Sequence, residues 1–92
     1  MALLEEHEIL LRLESLENWA YEGKSFVKEF LFNDFSSALS FVVKIGIIAE
    51  KQNHHPDILI HSYNKVIIRI STHSEGGITQ KDFELAELIE KN

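Results

Sequence analysis

Apolar and polar positions repeat along this chain with two different periods, and the switches between them mark the elements. In "MALLEEHEILLRLE", Leu3, His7, Leu10 and Leu11 recur at helical spacing with glutamates between them, which predicts an amphipathic helix over roughly 3–14. The stretch "SFVKEFLF" alternates instead. Phe26, Phe30 and Phe32 fall on one face and Val27, Glu29 and Leu31 on the other, as in a strand. "WAYEG" just before it, with Gly23 as the turn residue, predicts its hairpin partner.

The three-and-four spacing returns in "FSSALSFVVKIGIIAEKQ" through Phe35, Ala38, Leu39, Val42, Ile45 and Ala49, with Asn33 or Asp34 placed to cap the start. This helix is expected to be the central, buried one. It must stop at His54-His55-Pro56, because the residue before a proline is pushed out of the helical region. "DILIHS" and "VIIRIST" around "YNK" then predict a second hairpin, with Val66, Ile68 and Ile70 sharing a face. After the loop "SEGG", the segment "ITQKDFELAELIEKN" opens with a capping signature. Thr79 is the cap, Asp82 lies three residues on, and Ile78 with Phe83 forms a hydrophobic staple.

The order is α-β-β-α-β-β-α, which predicts one α+β domain spanning residues 1–92: a four-stranded antiparallel sheet of two hairpins, with three helices on one face. A domain of this size buries only about 60–65% of the surface its unfolded chain exposes, so self-association would help to complete the core.

Composition narrows the function classes. A net charge of -6 repels phosphate backbones, so no direct nucleic-acid binding is expected. With no cysteine, disulfides, thiolate nucleophiles and Cys-type zinc sites are excluded. The first residues carry glutamates where a signal peptide needs positive charge, and no apolar run reaches the roughly eighteen residues of a membrane span. The expectation is a soluble, cytoplasmic protein with no membrane association.

Candidate chemistry concentrates in "NHHPDILIHSYNKVIIRISTH", which holds four of the five histidines. Imidazole is the side chain whose charge changes nearest neutral pH, so a cluster suits proton transfer, one ring donating as another accepts. His54 and His55 sit at the predicted end of the second helix, where the macrodipole and unpaired carbonyls favour a protonated ring. His73 closes the last strand beside the Gly-rich loop, a place where side chains converge on pockets. The same physics also fits helix-capping or surface histidines with no reaction attached. Three imidazoles could hold zinc, but no HxxxH, HxH or HExxH spacing is present and no metal site is expected. His7, at a core-like position of the first helix, and His61, inside a strand, read as structural.

The run Glu50-Lys51, a two-residue spacer, His54-His55-Pro56, "YNKV" at Tyr63 to Val66, "STH" at Ser71 to His73, and "GIT" followed by Asp82 resembles the pterin-4a-carbinolamine dehydratases. The resemblance is close from Glu50 onward and looser before it, through Trp19 and "FVKEFLFNDFSSAL". It implies dehydration of a 4a-hydroxytetrahydropterin to the quinonoid dihydropterin, without metal or cofactor, in tetrahydrobiopterin or related pterin recycling. It places catalytic histidines at His54, His55 and His73 and an acidic site residue at Glu50. His54 and His73 would carry the proton transfers, in unresolved order, while His55 and Glu50 orient the pterin. Ser71 and Thr72 would line the pocket. Asp82 matches a family position too, but as the capping-box residue it already has a structural role. Asn53 stands where several members carry aspartate, and Ile58 where an animal form carries tryptophan.

The same resemblance implies homodimers or homotetramers, and in some members a protein partner, since these stabilise a transcription-factor dimer through a helical surface. An assembly role with a secondary active site is therefore the alternative to the enzyme. A different pterin, as in molybdenum-cofactor metabolism, is a third.

Overall fold

A computed structural model describes residues 2–92 and has the expected order of elements. They are α1 (Glu6–Leu13), β1 (Ala20–Glu22), β2 (Ser25–Leu31), α2 (Phe35–Gln52), β3 (Asp57–His61), β4 (Lys65–Ile70), a short 3₁₀ turn (His73–Glu75) and α3 (Gln80–Glu90). The strands form one antiparallel sheet in the order β1-β2-β4-β3, so the two hairpins meet along their second strands. This is the α+β fold anticipated from the pattern.

Register decides what the sheet presents to the helices. Phe26 lies opposite Ile70, Phe30 opposite Val66, and Ile58 opposite Ile68. Because side chains alternate along a strand, these residues share one face with Ile60, and the core forms between that face and the helices. Phe41 and Ile45 of α2 and Phe83, Leu85 and Ile89 of α3 complete it. Phe26 and Phe83 meet edge to face with centroids 4.7 Å apart, the arrangement favoured by the ring quadrupoles. The opposite face of the sheet leaves Leu31 and Leu59 exposed, and His61 Nε2 there lies 2.6 Å from Glu29.

Alternation also puts Lys28 on the inner face, opposite Ile68. Its Nζ escapes the core by pairing with Glu90 and donating to the Glu17 carbonyl at 3.1 Å. Trp19 Nε1 donates to the same Glu90 oxygen at 2.7 Å. The end of α3 is thereby fastened to β2 and to the segment before β1.

Two expectations are corrected. The first helix spans Glu6–Leu13, and its core-facing residue is Ile9, with Leu13 packed beside it. Leu3, Leu10, Leu11 and His7 point to solvent. Leucines lie on both sides of this short helix, so spacing alone admits two faces, and the position of the sheet selects one. The second helix is buried along one face only. Ala38, Phe41, Ile45 and Ala49 are inside, whereas Phe35 and Leu39, placed inward by the repeat, are exposed with Val43 and Ile47. The N-cap of α2 is Asp34, which accepts the Ser37 backbone N–H at 2.7 Å.

Candidate active site

The end of α2 shapes the first part of the site. Asn53 adopts the left-handed conformation (φ 51°), which asparagine tolerates better than most residues, and its N–H returns to the Glu50 carbonyl at 3.1 Å. The His54 N–H reaches back to the Ala49 carbonyl at 3.1 Å. This pair of bonds is the Schellman ending of a helix, and it holds the His54 backbone in place. His55 and Pro56 then lead directly into β3, so both histidines stand on a short, constrained connection.

The second part comes from the end of β4. Thr72 forms an isolated antiparallel bridge with Gly77, its N–H donating to the Gly77 carbonyl at 2.8 Å. Between them the chain makes the 3₁₀ turn and closes through Gly76 at φ 75°, a conformation that favours glycine. Ile78 and Thr79 follow, and α3 begins.

These segments converge on one carboxylate. Asp82 is fully buried, and its Oδ2 accepts the Thr79 backbone N–H at 2.8 Å, completing the capping box. The same oxygen accepts the Thr72 hydroxyl at 2.7 Å, while Oδ1 lies 2.7 Å from His54 Nε2. The Thr72 and Thr79 hydroxyls are 2.8 Å apart. His54 is 9% exposed, so its ring is largely held inside the protein. Asp82 thus caps α3 with one oxygen and faces a histidine with the other.

His55 and Glu50 stand outside this network as a solvent-exposed pair, Nε2 to Oε1 at 2.7 Å, on the last turn of α2 and the residue that precedes Pro56. His73 is exposed and directly follows Thr72, at the start of the 3₁₀ turn. Ser71 is half-buried one residue earlier. The site residues read from the sequence therefore fall into a buried core of His54, Asp82 and Thr72, and an exposed rim of Glu50, His55 and His73. Thr79 was the omission: its capping role was legible, but its hydroxyl contact with Thr72 joins segments that no local pattern connects. Among the described residues, no group of three or more His, Cys, Asp or Glu is placed to hold a metal ion. Among them, too, no helix is long and apolar enough to cross a membrane.

The chain matches the family described as pterin 4 alpha carbinolamine dehydratase over residues 2–92. A relative from Sulfolobus acidocaldarius, provisionally named a pterin-4-alpha-carbinolamine dehydratase, is 49% identical over 88 residues, covering 96% of each chain. One from Sulfurisphaera tokodaii, with the same provisional name, is 45% identical over 91 residues, 99% of this chain and 97% of that one. The crystal structure of a transcriptional coactivator/pterin dehydratase from Brucella melitensis matches with a TM-score of 0.89 at 33% identity, over 97% of this chain and 96% of that one. A pterin dehydratase-like protein identified as a RuBisCO assembly factor in the alpha-carboxysome shares the fold, with a TM-score of 0.64 at 15% identity over 79% of this chain and 83% of that one.

Proposed function

This chain belongs to the pterin 4 alpha carbinolamine dehydratase family, and from that premise we propose that it dehydrates a 4a-hydroxytetrahydropterin to the quinonoid dihydropterin by histidine acid-base catalysis. The observation that carries the reading is the buried His54–Asp82 pair at 2.7 Å, with His73 on the adjoining turn. The reaction breaks a carbon–oxygen bond at the ring junction and a nitrogen–hydrogen bond beside it. A base takes the nitrogen proton, the freed pair forms the C=N bond, and an acid protonates the departing hydroxide as water. Two imidazoles on opposite sides of the reacting atoms meet that demand, and positioned proton transfer of this kind typically contributes about 10²–10⁴ in rate. His54 and His73 carry the transfers. His55 and Glu50, paired on the rim, orient the flat heterocycle, and Ser71 and Thr72 form the adjoining wall. No cofactor takes part.

The test is the rate of carbinolamine dehydration, with substrate generated in situ, for wild type, His54→Ala and His73→Ala. Acceleration by wild type that falls at least about a hundredfold in both folded variants is the expected result. A folded wild type that does not accelerate the reaction would overturn the reading.

The exposed face of α2 favours a second role. Phe35, Leu39, Val43 and Ile47 are spaced by four and form one apolar ridge, flanked by a groove of about 430 Å³ lined by Leu39, Ser40, Val43, Lys44 and Ile47. Contiguous exposed apolar surface of this kind marks a protein-protein contact. A second copy of the chain is the occupant we assign, giving a homodimer or homotetramer, with another protein partner as the alternative. Sedimentation velocity should place wild type above the monomer mass and Leu39→Glu/Val43→Glu at it. A monomeric wild type would remove self-association as the ridge's function.

A further inference from the structure

The hydroxyls of Thr72 and Thr79 admit one consistent placement of protons around Asp82. The Thr79 backbone N–H can only donate, and it meets Oδ2 at 2.8 Å. Thr72 Oγ1 lies 2.7 Å from the same oxygen and 2.8 Å from Thr79 Oγ1. An ionised carboxylate only accepts, so the single Thr72 proton goes to Asp82, and Thr79 must give its own proton to Thr72. Thr79 Oγ1 in turn accepts the Lys81 backbone N–H at 3.3 Å. Every bond in the chain points toward the carboxylate. With Oδ2 served by two donors, Oδ1 is the oxygen left for His54, and at 2.7 Å it accepts a hydrogen bond from Nε2–H.

We propose that this directional chain, from Thr79 through Thr72 to Asp82, locks His54 as the Nε2–H tautomer and so makes Nδ1 the atom that accepts the substrate's proton. Thr72 and Thr79 are positioning residues for His54, acting on it through Asp82. The assignment resolves the order left open above: His54 is the base and His73 the acid. When Nδ1 takes the ring-nitrogen proton, the resulting imidazolium faces the Asp82 carboxylate, the partner that best stabilises it. The catalytic half of the inference rests on the dehydratase reading. The tautomer does not.

Asp82→Asn gives the sharpest test, because it nearly preserves shape and reverses one polarity. The Thr79 N–H and the Thr72 hydroxyl both require an acceptor, so the amide oxygen takes the place of Oδ2 and the NH₂ group takes the place of Oδ1. His54 Nε2 then faces a donor and must accept, which moves its proton to Nδ1. Long-range ¹H–¹⁵N correlation spectra report the tautomer directly. Neutral His54 should be protonated at Nε2 in wild type, Thr72→Val and Thr72→Ser, and at Nδ1 in Asp82→Asn. Dehydration should fall on the order of 10²–10⁴ in Asp82→Asn, where the base has become a donor. In Thr72→Val kcat should fall about tenfold, the lower end of what removing an imidazole-orienting partner costs, with KM little changed and Thr72→Ser recovering the loss.

A wild-type spectrum with the proton on Nδ1, or a folded Asp82→Asn that keeps it on Nε2, would overturn the relay. If Asp82→Asn does not fold, a folded Thr72→Val that keeps the wild-type kcat does so instead. A tautomer that reverses in a protein without dehydratase activity would leave the relay standing and remove the reaction. Dehydratase activity with an unmoved tautomer would do the opposite.

Discussion

Asp34 at the start of α2 and Asp82 at the start of α3 are both helix-capping carboxylates, one exposed and one fully buried. Asp34 is the N-cap itself and serves only its own turn, through Ser37 and Ser36. Asp82 receives the Thr79 N–H, the Thr72 hydroxyl and the His54 imidazole, and so joins the start of α3 to the ends of β4 and α2. The capping chemistry is the same. What differs is how many elements end their buried polar groups on one side chain. Water can replace an exposed cap, whereas a buried group that loses its acceptor keeps the full cost of desolvation.

The largest effect expected from breaking this contrast is Asp82→Ala. It removes the cap and leaves a backbone N–H, a hydroxyl and an imidazole N–H buried without an acceptor, which should cost about 3 kcal/mol or more. Urea unfolding measures it, and an unchanged midpoint would mean that the three donors find partners as readily as an exposed cap does. Asp34→Ala should lower the midpoint by clearly less, because the freed N–H groups of that turn reach water.

A smaller effect, in pH rather than in the midpoint, sharpens the comparison. The Ser37 hydroxyl, then its backbone N–H and the Ser36 hydroxyl, hold the Asp34 carboxyl below its ordinary value of 3.8. A depressed folded-state value means that the cap's stabilisation is fully present above the unfolded-state value and is lost as pH falls through the lower, folded one. The stability gap between wild type and Asp34→Ala should therefore be constant near neutrality and narrow below about pH 3.8. Acid unfolding of the two proteins side by side reads this, and a gap undiminished at the acid limit would show that ionisation of Asp34 contributes nothing.

Legibility in the sequence followed the range of the interaction. The capping box at Thr79 and Asp82, the stop at His54 to Pro56 and the alternation of β2 and β4 all depend on neighbours a few residues away, and each was readable. The faces of α1 and α2 were not. His7, Leu10 and Leu11 made as regular a stripe as Ile9 and Leu13, and Phe35 and Leu39 fitted the repeat of α2 as well as Phe41 and Ile45. Hydrophobic spacing identifies a helix, but its orientation is set by the surface it meets. The three candidate histidines were picked out by residue type, by their places at the ends of elements and by resemblance; in the structure His54 and His61 each meet a carboxylate, at 2.7 Å and 2.6 Å. His54 differs in being held inside the protein, against an aspartate whose other oxygen is already occupied.

By itself, the sequence determined the main helices and strands and their order, because propensity, alternation and capping act over the distance of a turn. Only the tertiary structure decided that His54 and Asp82, 28 residues apart, share a hydrogen bond, and that Thr72 and Thr79 complete it. Those contacts form where the ends of α2 and β4 meet the start of α3, and the packing of helices on the sheet brings them together.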